Sequence, residues 1–128
     1  MKNLQMFCTS LEPQHYEFIK ELGYTPAALG EKTFQDGWLR DNSKENISKK
    51  NNNYAELTFH YWFWKNYLKE CNSKWIGFCH YRKFWTKKKH KDSDINIKNL
   101  SSLVLKDIPA ELQKYEVILG DPFYVNEQ

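Results

Sequence analysis

The chain lacks most of the short signals that name a chemistry at sight. Its three cysteines, Cys8, Cys71 and Cys79, are odd in number and have no C-x-x-C spacing, which argues against a disulfide framework or a cysteine-based zinc site. No run approaches the roughly 18 apolar residues of a membrane span. The apolar run Leu4–Cys8 is too short for the h-region of a signal peptide. A net charge of +3 with no Arg-rich stripe speaks against a nucleic-acid partner. There is no GxGxxG, Walker A, GxSxG or HExxH motif. No Asp-x-Asp follows a strand pattern, since Asp92-Ser93-Asp94 lies in a basic loop. A cytosolic protein without a metal, disulfide or nucleic-acid scaffold is the expectation.

What is present is aromatic and polar at once. The 128 residues suit one domain spanning 1–128, and 16% of them are aromatic. The low mean hydropathy of -0.80 comes from Lys and Asn rather than from a shortage of core formers. The one concentration of charge, Lys87–Lys91, is a solvated loop or, alternatively, a point of peripheral contact with an anionic membrane surface.

Leu4–Thr9 reads as a first buried strand. Pro13 opens a helix that carries Tyr16, Ile19 and Leu22 and ends at Gly23. Residues 30–53 read as a long loop rich in Asn, Asp and Lys. Asn53 as N-cap, with Glu56 completing a variant capping box, starts a helix from Tyr54 to about Glu70. Its stripe Leu57, Tyr61, Trp64 and Leu68, widened by Phe59, Trp62, Phe63 and Tyr67, predicts a helix buried nearly all round. Lys74–Cys79 is a second strand, with Ile76 and Phe78 on one face and Trp75 and Cys79 on the other. Lys87–Asn99 is a polar excursion, Asp107–Tyr115 a short helix, and Glu116–Leu119 a third strand closed by Gly120, Asp121 and Pro122. This order predicts an α/β fold with a mostly parallel, Rossmann-like sheet.

Such sheets bind ligands outside the carboxyl ends of their strands. The predicted ends are Thr9 and Ser10, His80–Arg82, and Asp121–Phe123. Thr9 and Ser10 offer hydroxyls or cap the following helix. Arg82 presents a planar fork to a phosphate or carboxylate, or pairs with an acid such as Asp41. His80 is a base, a phosphate donor, a metal ligand or a structural histidine. Glu56 and His60 lie one helical turn apart, although capping explains Glu56. Asp41, Asn42, Asn46 and Asn53 either fix a loop or bind sugar hydroxyls.

Read together, these residues resemble a bacterial domain family of formally unassigned function found in glycosyltransferases of capsular and exopolysaccharide biosynthesis. The matching positions are Asp41-Asn42, Asn46-Ile47-Ser48, Asn53, Tyr54, Glu56-Leu57-Thr58, Tyr61-Trp62, Trp64-Lys65-Asn66, Gly77 and His80-Tyr81-Arg82. The resemblance implies a GT-A-like domain that transfers a sugar from a nucleotide-sugar to a glycan acceptor, in the cytoplasm or at the inner face of the membrane. It implies His80 and Arg82 as catalytic residues on the donor diphosphate. Thr9, Ser10, Asp41, Asn42, Asn46, Tyr81 and Asp121 would be substrate-binding. A divalent cation, manganese or magnesium, is the conceivable companion of the nucleotide-sugar, with no residue assigned to hold it. The chain looks like the N-terminal half of the family domain. This leads to an alternative expectation: a non-catalytic remnant or nucleotide- or glycan-binding module that needs a missing C-terminal half or a partner chain.

Overall fold

A computed structural model describes residues 3–121. Its centre is a four-stranded parallel sheet in the order β3-β2-β1-β4, with β1 at Leu4–Ser10, β2 at Thr25–Ala28, β3 at Leu39–Arg40 and β4 at Trp75–His80. The fold is therefore α/β and Rossmann-like, as the strand and helix order predicts. Alternation along β1 feeds two cores. Leu4, Met6 and Cys8 face one side, where they meet Ile19 and Leu22 of α1 (Tyr16–Glu21) together with Tyr24, Trp38, Leu100, Leu105 and Ile108. Phe7 faces the other, where it meets Phe59, Trp62 and Phe63 of α3 (Leu57–Asn66). The two helices thus cover opposite faces, as a sheet buried on both sides requires.

The first unit matches expectation closely. Pro13 begins a 3-10 turn that leads into α1, and Gly23 follows the helix at φ 79, a left-handed conformation that glycine adopts without a Cβ penalty. Ile76 and Phe78 of β4 face the α3 core, and Trp75 and Cys79 the other.

Five expectations are corrected. The aromatic helix is broken. A short α2 (Asn51–Tyr54) ends at Ala55, whose φ 48 and ψ -131 strain a residue with a Cβ, and α3 begins afresh at Leu57. The Ala55 carbonyl accepts from Asn51 Nδ2 at 2.9 Å and from the Thr58 N–H at 3.2 Å, so the kink is held from both sides. Asn53 therefore lies inside α2 and caps nothing, and Glu56 is the N-cap residue of α3 with no side-chain capping bond.

Second, α3 buries Thr58, Phe59, Trp62 and Phe63, while Leu57, Trp64 and Leu68 are exposed. The stripe singled out in the sequence is the outer one. Third, the polar excursion folds back. Asn96 caps α4 (Ile97–Leu103) in a reciprocal box with Asn99, and Leu100, Val104 and Leu105 enter the α1-side core. Fourth, Glu116–Leu119 is not a strand: Val117 and Leu119 are exposed, and the remaining sheet positions belong to β2 and β3. The predicted helix at Asp107–Tyr115 shrinks to a 3-10 turn, Ala110–Leu112. Among the described residues no helix is long and apolar enough to cross a membrane.

Candidate functional site

The strand order decides where a ligand belongs. From β1 the chain reaches β2 through α1 on one face, and from β3 it reaches β4 through α3 on the other, so neighbouring connections diverge between β1 and β4. Ligands of open α/β sheets sit outside the carboxyl ends at that point. In register, Thr9 lies beside His80, and the Tyr81 N–H donates to the Thr9 carbonyl at 3.1 Å. The carboxyl ends of β1 and β4 are therefore adjacent. Asp121 is exposed and no strand leads to it; Phe123 lies outside the described residues.

At this rim His80 closes a tight turn. Its N–H donates to the Lys83 carbonyl at 3.1 Å and its carbonyl accepts from the Lys83 N–H at 2.9 Å, which puts Tyr81 and Arg82 at the tip. The Tyr81 ring lies 4.2 Å from the His80 ring and 4.7 Å from that of His15, centroid to centroid. Arg82 is exposed, its guanidinium carbon 5.2 Å from the Tyr81 centroid. Among the described residues it has no carboxylate partner, so the Asp41 pair weighed from sequence is not formed. Partial burial holds the His80 imidazole below its ordinary pKa against the pull of Glu56, and Arg82, Lys83 and His15 add like-charge repulsion. His80 is accordingly neutral near pH 7.

His15 belongs to this cluster, and sequence reasoning missed it. It ends the 3-10 turn that Pro13 starts, and its Nδ1 lies 2.7 Å from Ser10 Oγ. Ser10 Oγ also accepts the Glu12 N–H at 3.0 Å and lies 3.5 Å from the Glu12 carbonyl, so the serine ties His15 to the start of the 3-10 turn. Ser10 is fully buried and is placed to orient His15 rather than to attack a substrate. Thr9, equally buried, donates to the Cys79 carbonyl at 3.3 Å. The signal available beforehand was a histidine two residues after the proline that follows a strand ending in serine.

Asp41, just beyond β3, is also fully buried. Its Oδ2 accepts from Thr58 Oγ1 at 2.6 Å, while Oδ1 has no partner among the described residues. Desolvation raises its pKa, opposed by the Thr58 bond and by Arg40. Asn51 Nδ2 donates to Thr58 Oγ1 at 3.1 Å, so the carboxyl braces the kink before α3. Asn46 is engaged in its own loop, accepting from the Ser48 N–H at 3.2 Å and donating to the Lys44 carbonyl at 2.9 Å. Asn42 is exposed beside Asp41.

Next to this cluster, at the ends of β1 and β2, opens a cleft of about 490 Å³ between Leu11, Glu12, Leu29 and Lys32 on one side and Lys49 and Asn52 on the other. Lys32 bridges to Glu12 at 2.6 Å and holds that carboxyl below its ordinary pKa. Arg40 donates to the Gly30 carbonyl at 3.0 Å and fixes the cleft's β2-side loop. Among the described residues no three His, Cys, Asp or Glu side chains converge on a point that would hold a metal ion.

A family profile matches residues 11–128. The chain belongs to DUF4422, a domain of unknown function. No curated protein and no solved structure matches it significantly. The DUF4422 match begins directly after β1 and so takes in His15, the walls of the cleft and the whole His80–Arg82 turn.

Proposed function

We propose that this DUF4422 domain is a glycosyltransferase module of surface-polysaccharide assembly, which binds a nucleotide-sugar along the carboxyl rim and passes its sugar to a glycan acceptor. One observation carries the reading: Arg82, an exposed guanidinium free of any carboxylate among the described residues, stands at the divergence of a parallel sheet. The nucleoside lies in the cleft between the β1 and β2 ends, and the diphosphate reaches the Tyr81–Arg82 turn.

During transfer the bond between the anomeric carbon and the diphosphate oxygen breaks, and its electron pair leaves with the phosphate. The acceptor oxygen bonds to that carbon and passes its proton to the departing diphosphate, directly or through water. Negative charge grows on the departing diphosphate, where a fixed guanidinium stabilises it more than it stabilises the ground state. Neutral His80 donates a hydrogen bond to the same phosphate, and Tyr81 holds His80 and His15 in place.

Calorimetric titration of nucleotide-sugars in EDTA tests this. Arg82→Ala should weaken donor binding by ~1–3 kcal/mol, the scale of a charge-assisted hydrogen bond, and leave the melting temperature of the free protein unchanged. Absence of binding, strict dependence on manganese or magnesium, or a collapsed melting temperature with undiminished binding per folded molecule would count against it. The exposed outer side of α3 favours a second reading, a binding module that works only with a partner chain. Donor binding without turnover separates the two.

A further inference from the structure

The basic run that begins at Lys87 is anchored to the body. Thr86 forms an antiparallel bridge with Val104, and the Leu105 N–H donates to the Trp85 carbonyl at 2.7 Å. Val104 and Leu105 are themselves buried in the α1-side core, and Thr86 Oγ1 donates to the Lys88 carbonyl at 2.6 Å. The start of the run is thus pinned beside the end of α4 rather than spread into solvent. Between the two segments lies a cleft of about 510 Å³, with Lys87, Lys88, His90 and Lys106 in its wall. Asp107 is the one acid among the described residues that line it. Lys87 bridges to Asp107 at 3.5 Å, but both side chains are more than half exposed and the pair is weakly held. Lys88 and Lys106 have no carboxylate partner among the described residues, and Lys106 Nζ donates to Ser101 Oγ at 3.2 Å. Ser101 in turn donates to the carbonyl of Glu21, the last residue of α1. Because α1 runs back from the rim, the cleft lies away from it.

We infer that this cleft is an anion site separate from the rim, and that it takes a phosphomonoester or diphosphate group. A concave wall of ammonium groups against a single acid concentrates positive potential, and the like charges repel one another until an anion joins them. The donor type selects the anion. Lysine is a compact point charge, suited to a tetrahedral phosphate approached from several directions. A planar carboxylate is matched better by the arginine fork, and no arginine among the described residues lines the cleft. His90 adds a ring N–H. Ser101 and Ser102 spend their protons on the Glu21 and Asn99 carbonyls at 3.3 and 2.7 Å, so they shape the wall while the ammonium groups bind. No aromatic side chain among the described residues lines the cleft, which leaves a nucleobase nothing to stack on. A soluble phosphate compound and the headgroup of a phosphomonoester lipid present the same oxygens. The inference is independent of the ligand bound at the rim.

Amide chemical-shift titration of the intact chain with inorganic pyrophosphate in EDTA tests it. The expected result is saturable movement of the amides of residues 87–90 and 101–107, unchanged by Arg82→Ala at the rim. Lys88→Gln combined with Lys106→Gln should weaken that binding about tenfold or more, the scale of lost charge-assisted hydrogen bonds. Both side chains are exposed, so the melting temperature of the free protein should be retained. Asp107→Asn, which removes the one opposing charge, should tighten the binding. Once pyrophosphate binds, co-sedimentation identifies the source, using vesicles that carry phosphatidic acid, a monoester, or an equal surface charge of phosphatidylglycerol, a diester. Selective capture by phosphatidic acid that is lost in the double variant assigns a lipid headgroup, and its absence assigns a soluble phosphate compound. Pyrophosphate that moves none of these amides, a double variant that binds it as the parent does, or weaker binding by Asp107→Asn would overturn the inference.

Discussion

Two sides of one ten-residue helix carry nearly the same chemistry and meet opposite fates. Trp62 is 6% exposed and Trp64 57%, only two residues on. The inner side enters a ring cluster in which Phe7 meets Phe63 edge-on at 4.8 Å and Phe63 meets Phe78 at 5.3 Å. The outer side has only solvent-facing contacts among those described: Lys65 laid over Trp64, the Tyr61 ring edge-on to Trp64, and a Lys65–Glu45 ion pair at 3.7 Å. Aromatic content therefore shows how much surface a helix wants to bury, and neighbouring elements show which part of it succeeds.

The largest effect should come from the inner side. Phe59→Ala removes a fully buried ring that touches Phe7, Trp62, Phe63 and Phe78, and should destabilise by about 3–5 kcal/mol. Denaturant unfolding of a dilute, monomeric sample measures this. A loss below about 1 kcal/mol would show that the two sides are not as different as their burial implies.

A smaller loss, about 1–3 kcal/mol, is expected of Thr58→Val, which keeps the shape of the inner side but removes the 2.6 Å hydrogen bond that the hydroxyl donates to the buried Asp41 carboxyl. Asp41 Oδ2 would then lose its side-chain partner. Because burial already holds its pKa up, the carboxylate is the costly form, and the variant should recover part of its loss as the pH is lowered towards the pKa of Asp41. If the loss does not shrink with acid, the hydroxyl acts by bracing the Ala55 kink rather than by satisfying Asp41.

How far the chain could be read in advance follows the same division. β1, α1 and β4 were legible because each is a short, locally consistent pattern: an apolar run, a proline start, a glycine stop. β2 was not. Pro26, Ala27 and Ala28 carry weak strand propensity and a proline, and pairing with β1 on one side and β3 on the other makes them a strand. The break at Ala55 was equally invisible, since alanine is a strong helix former and the strain is sustained by Asn51, Thr58 and Asp41 from outside the local pattern. At the rim, His80, Tyr81 and Arg82 stood out because they end a strand. His15 did not, because its place beside Tyr81 depends on how α1 and β4 meet.

The edge between the two sides titrates. The His60 ring lies 4.5 Å from Phe78, and burial holds its pKa below the ordinary value against the opposing pull of Glu56. His80 is shifted the same way. Both imidazoles bind protons more weakly in the folded chain than in the unfolded one, so protons favour unfolding. Stability from these two groups is fully present above the unfolded pKa of about 6.5 and is lost as the pH falls below it. The melting temperature should therefore drop between about pH 7 and pH 5, and His60→Gln should flatten part of that slope. An unchanged slope would place His60 in a wetter setting than its contact with Phe78 implies.

The smallest effect sharpens the comparison most. Read by spacing alone, Trp64 belongs to the buried stripe, and Trp64→Ala would then cost as much as Phe59→Ala. On the structure it stands in solvent, and the fold loses only its contacts with Lys65 and with the Tyr61 ring, 5.9 Å away edge-on. Solvent-facing contacts of this kind are worth fractions of a kcal/mol, so the dilute monomer should unfold within about 0.5 kcal/mol of the parent. A loss of several kcal/mol would instead return Trp64 to the core.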